Sequence, residues 1–454
     1  MRSTQPPQGL PGLPPAALIG GYIFVGLLPL LIAWIGDAGD QPFQRALSAG
    51  LVMIGFSLML VQFVLSGRFE RVSGKVGIDV TMRFHQLAAW VVLVFIVAHP
   101  LLYPVGRLPD DPAGAWRMLV GMFTSGGLRT GVIAWFGLLI LVFMGIFRDR
   151  LPISYEIWRL SHGVAAVAIA ALALDHTRAV GTHSRSGVLA WFWIAMTAVA
   201  IGSVAFVYAV KPFIKAGRPY KVVSNRRIAD KTWEIVVEPE RAEAEIPPHL
   251  AGQFAWLNLG HKPFSLTEHP FSITTPPSAR PQIGFAIKES GDFTNHIGGI
   301  KAGTRAYLDG PHGSFTTVGR ESGAVIMIAG GVGLAPMVGI LSDLIDKKYP
   351  NPVHLIYGNR IESQIMYREK LDAAAAEIDL RTDYVLAEPP DGWTGKTGNL
   401  TPDILRSCLP ADRMPTNGLY LICGPSGMMT AVEQALIDMG VPTDRIIAER
   451  FKYD

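Results

Sequence analysis

Long apolar segments separated by short polar connections fill the first half of the chain, whereas the second half has the shorter periodicities of strands and amphipathic helices. A bilayer core about 30 Å thick requires about 20 mostly apolar residues per helix. The sequence therefore predicts an α-helical transmembrane bundle of six helices within residues 17–210. The six spans lie at about 17–36, 46–66, 82–103, 130–147, 157–177 and 187–210.

Basic residues are distributed unequally among the connections between these spans. Arg and Lys concentrate before the third and fifth spans and after the sixth, whereas the other connections are poorer in them for their length. The positive-inside rule therefore places both termini in the cytoplasm, so the third and fifth spans run in the same direction through the lipid bilayer. We expect a multi-pass protein of the cell (inner) membrane, with residues 1–16 as a disordered cytoplasmic N-terminus.

The third and fifth spans each contain two histidines at the same spacing. His85 and His99 are fourteen positions apart, and so are His162 and His176. Fourteen residues of α-helix cover about 21 Å and return nearly to the same face. Polar side chains at membrane depth are costly and usually functional. Because the two spans are parallel, His85 matches His162 in depth and His99 matches His176, which predicts two haem b groups with bis-histidine ligation.

The alternative for these histidines is helix packing or proton relay, as in a transporter. Two pairs with identical spacing on parallel helices favour the haem interpretation. Arg83 and Arg159 lie near the inner histidines. They are predicted either to neutralise haem propionates or to serve only as anchors at the positive side of the membrane.

From Arg218 onward the pattern is that of two further domains. Short alternating segments between Pro and Gly turns predict a small antiparallel β-barrel over residues 218–317. Strands and helices then alternate through residues 320–454, which predicts an α/β domain with a parallel sheet of the nucleotide-binding kind. The fold class is therefore a multi-domain membrane protein that combines a helical bundle, a barrel and an α/β domain.

A glycine-rich turn, Gly330 to Pro336, joins a strand of β-branched residues to an apolar helix in the last domain. Such glycines let the backbone approach a pyrophosphate, whose charge a helix N-terminus favours. A turn that is merely tightly packed is the alternative. Cys423, Gly424 and Pro425 follow another strand that we expect at the same sheet edge, where sheets of this kind bind ligands.

Arg360 and Tyr367 follow the strand that ends at Gly358. They are predicted to meet an adenosine 2′-phosphate by charge and by stacking, which favours NADPH over NADH. Glu362 lies close by and keeps NADH open as the alternative.

Charge and cysteine content exclude two classes of function. The formal net charge is only +3 and the basic residues are dispersed, which argues against a nucleic-acid partner. The two cysteines, Cys408 and Cys423, form no disulfide framework or CxxC metal site, which suits a reducing compartment for the second half.

Several motifs together resemble a known group of flavoenzymes. His269 to Ser272, Gly291 to Thr294, the glycine-rich turn, Cys423 to Pro425 and the near-terminal Glu449 to Phe451 are similar to the ferredoxin-NADP reductase superfamily. With the four membrane histidines ahead of them, the chain resembles the ferric reductase and NADPH oxidase family over about residues 17–454.

The resemblance implies cofactors and site residues. The barrel would bind FAD and the α/β domain NADPH, with the nicotinamide near Cys423 and Glu449 and with Phe451 covering the flavin until nicotinamide displaces it. FAD would be held by His269, Pro270, Phe271, Ser272, Gly291, Phe293 and Thr294. NADPH would contact Gly330, Gly331, Gly333 and Pro336 in the glycine-rich turn, together with Gly424 and Pro425.

The predicted function is transmembrane electron transfer. A hydride carries two electrons, a haem accepts one, and a flavin between them converts the pair to single steps. The path runs from cytoplasmic NADPH through FAD and both haems to an acceptor on the outer face, with a ferric chelate favoured. Reduction of dioxygen to superoxide, electron delivery to a periplasmic protein partner docked on residues 104–129, and a transporter with a regulatory flavin domain are the alternatives.

Overall fold

The computed structural model describes residues 10–36, 41–65, 69, 72, 74–181, 183–185, 187–409 and 417–450 of the 454-residue chain. The chain folds into two compact units. The helical unit consists of Gly12–Val76 and Val80–Lys211, and the sheet unit contains Pro212–Asp454. Residues 1–9, most of the predicted disordered N-terminus, lie outside the described residues.

Six helices in the described ranges are long and apolar enough to cross a membrane, which confirms the six predicted spans. A seventh helix, α4, lies between the third and fourth spans, where the sequence predicted only a connection. Pro112 occupies its first position and Asp111 caps it, because the carboxylate accepts the Gly114 N–H at 2.8 Å. The helices are α1 (Pro15–Ile35), α2 (Phe43–Leu65), α3 (Ile78–Val105), α4 (Pro112–Thr124), α5 (Arg129–Ile146), α6 (Tyr155–Val180) and α7 (Gly187–Ala205).

The membrane helices present large apolar side chains outward and pack small or aromatic residues inward. Trp34 is 75% exposed and Trp191 is 71% exposed, which suits a lipid environment. Inside, Trp193 is fully buried against Phe56, with ring centroids 5.0 Å apart. The Trp193 indole N–H donates to the Ser184 hydroxyl at 3.0 Å, so this large side chain is also satisfied as a donor.

Helix α3 contains Pro100, which lacks the N–H that would bond the carbonyl of Ile96 one turn earlier. The Trp135 indole N–H from α5 donates to that carbonyl at 3.0 Å. A freed carbonyl in lipid is costly unless a neighbour supplies a donor, so Trp135 stabilises the part of α3 just before His99.

The sheet unit begins with a six-stranded antiparallel sheet in the order β4-β3-β6-β1-β2-β5. An isolated antiparallel bridge joins Ile273, just after β4, to Phe285 in β5, so the two edge strands meet and the sheet curls into the predicted barrel. The strands are β1 (Tyr220–Ala229), β2 (Thr232–Pro239), β3 (Phe254–Leu259), β4 (His269–Ser272), β5 (Ile283–Lys288) and β6 (Arg305–His312).

A second, parallel six-stranded sheet follows in the order β10-β9-β8-β7-β11-β12, as the alternating pattern predicted. Its central strands are buried on both faces, which crossover helices cover. The strands are β7 (Ala324–Gly330), β8 (Val353–Asn359), β9 (Leu380–Leu386), β10 (Lys396–Thr397), β11 (Gly418–Cys423) and β12 (Ile446–Glu449). The helices are α9 (Leu334–Asp346), α10 (Arg368–Ala374), α11 (Pro402–Cys408) and α12 (Ser426–Asp438).

Each sheet has an apolar core of its own, and one further cluster joins Ala251, Ala286 and Phe315 of the barrel part to the parallel sheet and its first helix. Helix α9 packs against the barrel, and a Cβ on its Gly339 would lie only 2.6 Å from the Ile273 carbonyl oxygen. On the barrel side, Gly252 has a φ of +92°, and a Cβ there would lie 2.0 Å from the Phe315 carbonyl oxygen. Glycine is therefore required at both contact points.

A short helix, α8 (Lys211–Ala216), leads into the barrel and is held to the loop before β4. The Lys215 ammonium lies 2.7 Å from the Glu268 carboxylate, and both side chains are at most 10% exposed. The rings of Phe213 and Phe264 meet edge to face at 4.8 Å. The α8 contact therefore combines a buried ion pair with an aromatic pair immediately before His269.

We predict that Lys215→Met destabilises the barrel by about 3–5 kcal/mol, because it removes the ammonium group from a buried ion pair with the Glu268 carboxylate. Lys221→Met is the matched control, since its pair with Glu238 has an N–O distance of 3.2 Å but is partly exposed to solvent and is worth at most about 1 kcal/mol. The loss of stability in the two variants is measured by urea titration of the full chain in detergent, with hydrogen exchange of β3 and β4 peptides as the readout. Equal losses in the two variants would contradict the prediction.

Candidate cofactor sites

The structure brings the inner pair of membrane histidines together. The ring centroids of His85 on α3 and His162 on α6 are 6.5 Å apart, with the ring planes at 62°. Imidazole–metal bonds are about 2.0 Å long, so two imidazoles on one ion have centroids roughly 6–6.5 Å apart. The His85 and His162 rings therefore have the separation that a shared iron requires.

The α3 histidines are hydrogen-bonded through Nδ1, whereas the α6 histidines are not. His85 Nδ1 lies 3.1 Å from Gln62 Oε1, and His99 Nδ1 lies 2.8 Å from Ser48 Oγ. The Nδ1 atoms of His162 and His176 are buried and have no hydrogen-bond partner among the described residues.

Gly131 on α5 makes room for the outer histidine of α6. A Cβ at Gly131 would lie 2.4 Å from His176 Nδ1, so any larger residue there would displace the ring. The glycine and the imidazole therefore fit together at this depth, and the four histidines remain the predicted metal ligands.

The two predicted propionate partners have different surroundings. Arg159 lies one turn before His162, with its guanidinium carbon 5.9 Å from the ring centroids of both Tyr155 and Tyr208. Arg83 is exposed. Arg159 thus has a defined position beside the inner histidines, and the propionate role of both arginines stays a prediction.

In the barrel, the structure brings together two of the motifs predicted to bind FAD. The His269 ring on β4 stacks on Phe293 at 4.4 Å with the ring planes at 27°. β4 pairs with β3 from Leu257 opposite His269 to Phe254 opposite Ser272. The Ser272 hydroxyl is buried without a hydrogen-bond partner among the described residues, which is the kind of group a bound cofactor satisfies.

The turn that directly follows β5 is closed by the side chain of Thr294. The Thr294 hydroxyl accepts the N–H groups of Ser290 at 2.9 Å and Gly291 at 3.0 Å. The predicted contact of Gly291 with the FAD phosphates through this N–H would therefore compete with Thr294, and the role of both residues at FAD stays a prediction.

The glycine-rich turn of the parallel sheet and the Cys423–Gly424–Pro425 turn lie against each other, as expected for one sheet edge. Strands β7 and β11 pair in register, with Ala329 opposite Cys423. A Cβ at Gly333 would lie 2.2 Å from the Cys423 carbonyl oxygen, and one at Gly330 would lie 2.8 Å from Pro425 Cδ. These two glycines allow the turns to pack.

Gly331 differs from its neighbours. It has a φ of +54°, and a Cβ built there meets no atom within 4 Å. The open space at Gly331 is where the backbone can be approached by a ligand, and Pro336 lies buried in the first turn of α9 behind it. The glycine-rich turn therefore contains both packing glycines and one glycine that faces open space.

Cys423 and Glu449 lie opposite each other on β11 and β12. Burial, followed by the neighbouring Glu449 carboxylate, raises the pKa of the fully buried Cys423 thiol well above its ordinary value. This thiol is therefore neutral at physiological pH and does not act as a nucleophile. Phe451, the residue predicted to cover the flavin, lies outside the described residues.

The predicted 2′-phosphate residues are not equivalent. Arg360 is exposed after β8. Tyr367 has a left-handed φ of +54° and is buried, and its hydroxyl donates to Glu234 on β2 at 2.7 Å. Glu362 forms an ion pair with Arg368. The Tyr367 phenol is thus engaged between the two sheets, which favours a packing role over stacking on adenosine.

Sequence reasoning missed the polar partners of the α3 histidines. Ser48 and Gln62 lie within an apolar span, where a lone Ser or Gln is easily taken for a packing residue. Their separation of fourteen positions, equal to the histidine spacing, is the signal that could have identified them.

Comparison with protein families gives two matches. The family described as "Ferric reductase like transmembrane component" matches residues 51–173. The family described as "Oxidoreductase NAD-binding domain" matches residues 327–434. The first match contains three of the four membrane histidines and reaches to within three residues of His176, and the second contains the glycine-rich turn and Cys423.

Curated relatives match the second half of the chain. An NADH-cytochrome b5 reductase 1 of Candida albicans is 36% identical over 174 residues, which is 37% of this chain and 58% of that protein. One of Laccaria bicolor is 34% identical over 177 residues, 38% of this chain and 57% of that protein. This chain thus spans little more than half the length of these relatives.

The predicted combination of domains is confirmed by these matches. The six apolar helices and both sheets agree with it. The chain is thus similar to a ferric reductase-like transmembrane component in its first half and to an NAD-binding oxidoreductase domain in its second half.

Proposed function

We propose that the chain is a transmembrane oxidoreductase that takes electrons from cytoplasmic NADPH and passes them through FAD and two b-type haems to an acceptor on the outer face of the membrane. The favoured acceptor is a ferric chelate. The observation that carries the proposal is the spacing of His85 and His162, because two imidazoles with centroids 6.5 Å apart inside a membrane bundle suit one iron between them.

When bound, FAD and the haems would supply the conversion of a two-electron hydride transfer to single-electron transfers. The protein supplies position. His85 with His162 and His99 with His176 would each ligate one haem, and two histidines per iron leave no open position there, which favours electron transfer over oxygen binding at the metal. Arg159 would hold a propionate of the inner haem.

The sheet unit would position the coenzyme. Gly331 would offer its backbone to the pyrophosphate, because a Cβ there meets no atom within 4 Å, while Gly330 and Gly333 allow the two turns to pack. The neutral Cys423 thiol and Glu449 would border the nicotinamide. Arg360, exposed after β8, would meet a 2′-phosphate, which supports NADPH. The name NADH-cytochrome b5 reductase of the relatives supports NADH as the second candidate.

A second candidate function is electron delivery to a periplasmic protein. Helix α4 occupies the connection that the sequence predicted as its docking surface, and Trp116 on this helix is 66% exposed. Exposed aromatic residues are enriched where proteins dock. Reduction of dioxygen to superoxide is the remaining alternative for the acceptor.

We predict that Gly331→Ala raises the KM for the coenzyme about tenfold, because a Cβ would enter the open space and the left-handed backbone would be strained by about 1–2 kcal/mol. Gly440→Ala is the control, since Gly440 has a φ of +86° and equally open space away from the turn. Steady-state kinetics with NADPH and NADH in parallel measure this effect and the coenzyme preference. An unchanged KM in Gly331→Ala would remove this residue from the site.

The acceptor is tested by turnover of the purified chain. We expect NADPH to drive reduction of a ferric chelate under anaerobic conditions. Reduction that occurs only with oxygen present, and that superoxide dismutase suppresses, would assign superoxide production instead. An absence of turnover with both soluble acceptors would favour the protein-partner alternative.

The variant His99→Leu tests the proposed electron path. NADPH should still bleach the flavin absorbance in this variant, whereas transfer to the outer acceptor should be abolished and the haem content should fall from two to one per chain. Full transfer in His99→Leu would eliminate the two-haem path.

A further inference from the structure

Helix α2 presents two polar residues to the two histidines of α3. Ser48 contacts His99, and Gln62 contacts His85. The sequence order is reversed between the two contacts, so the helices are antiparallel where they meet. Both pairs of residues are fourteen positions apart, so each helix carries its pair on one face about 21 Å apart along its axis.

The Ser48 contact determines which nitrogen of His99 carries the proton. The Ser48 hydroxyl has one hydrogen, which it donates to the His99 carbonyl oxygen at 2.8 Å. Its oxygen can therefore only accept from Nδ1, which lies 2.8 Å away. Nδ1 of His99 carries the proton, and Nε2 keeps its lone pair.

The Gln62 contact has the same consequence for His85. The Gln62 amide oxygen, 3.1 Å from His85 Nδ1, accepts a hydrogen bond and cannot donate one. The amide nitrogen donates to the Tyr22 hydroxyl of α1 at 2.9 Å. Gln62 is only 6% exposed, and this second bond fixes its orientation inside the bundle.

Close approach of α2 and α3 is possible because Gly55 lies between the two polar contacts. A Cβ at Gly55 would lie 3.3 Å from Phe95 Cβ and 3.2 Å from Ile96 Cδ1. Polar contacts at Ser48 and Gln62 thus flank an apolar, glycine-mediated contact. Ser48 is fully buried, which leaves its hydroxyl no solvent alternative to the histidine.

We propose that Ser48 and Gln62 are positioning residues that hold His99 and His85 as Nε2 ligands and lower the reduction potentials of the two haems, one each. The proposal rests on the proposed haem ligation. A ligating imidazole whose Nδ1–H is donated to an acceptor is a more basic ligand with a fixed orientation. A more basic ligand stabilises the oxidised iron.

In the ranges that the structure describes, hydrogen bonds to Nδ1 support the histidines of α3 but not those of α6. Nδ1 of His162 and Nδ1 of His176 are buried without partners among the described residues. Each proposed iron therefore has one ligand that a neighbouring helix orients by a hydrogen bond and one ligand whose Nδ1 meets no hydrogen-bond partner in the described part of the chain. Changes on α2 should act on each haem separately, through one ligand.

The test is a spectroelectrochemical titration of the purified full chain, with the two haems resolved as two components. Ser48→Ala should raise the midpoint potential of one component, and Gln62→Leu should raise that of the other. Ser48→Thr retains a hydroxyl and should restore the first potential. Gln62→Glu retains an acceptor and should keep the second potential at or below the wild-type value. Damage to packing alone would not raise the potential in Gln62→Leu and leave it at or below the wild-type value in Gln62→Glu.

Ser57→Ala is the matched control, because Ser57 lies on the same helix, is fully buried and donates to the Val25 carbonyl oxygen at 2.7 Å without contacting a histidine. It should leave both potentials unchanged. The haem content of every variant is measured alongside by the pyridine haemochrome assay.

Three outcomes would overturn the proposal. These are wild-type potentials in both Ser48→Ala and Gln62→Leu, a shift of the same component in both variants, or an equal shift in Ser57→Ala. Wild-type protein with two haems and any of these results would refute the positioning role alone. Wild-type protein without haem would refute the proposed function as well.

Discussion

The membrane histidines impose the strongest constraint on this chain, because an imidazole at membrane depth needs either a hydrogen-bond partner or a metal for each nitrogen. Two of the four rings satisfy Nδ1 through α2, and this leaves Nε2 directed elsewhere. The other two rings have unpartnered Nδ1 atoms among the described residues. A ligated metal would satisfy one nitrogen of each ring, which an apolar bundle otherwise has little means to do.

The glycine-rich turn illustrates how one motif can serve two purposes. Gly330 and Gly333 allow two adjacent turns of the parallel sheet to touch, whereas Gly331 faces open space. The packing role of Gly330 and Gly333 is therefore compatible with the proposed phosphate-binding role of the same segment. The close packing of the two turns holds Gly331 at the carboxyl edge of the sheet, where a pyrophosphate would be bound.

Much of the architecture could be predicted from the sequence, because hydrophobic periodicity reports helices and strands directly. The six spans, the barrel and the parallel sheet were found in this way. Helix α4 was missed, since its thirteen residues are too few for a span and its apolar pattern is short. The contacts of Tyr367 were also beyond prediction, because its hydroxyl meets Glu234 across 133 positions of sequence.

The candidate sites were predictable only where residues of one site share a motif or a spacing. His85 and His162 could be paired because the spacing is repeated on two spans. Ser48 and Gln62 share the fourteen-position spacing of the histidines, but a polar residue in an apolar helix does not by itself reveal which neighbour it faces. Long-range pairing of helices supplies that information, and only the folded structure contains it.

The chain's two thiols lie where oxidants have little access to them. Cys423 is fully buried beside a carboxylate, and burial raises the pKa of Cys408 to about 11. Oxidation of cysteine proceeds through the exposed thiolate, and neither side chain provides one. Neither cysteine is therefore available for thiolate oxidation, so a redox role of the protein would be carried by groups that it binds and not by its own thiols.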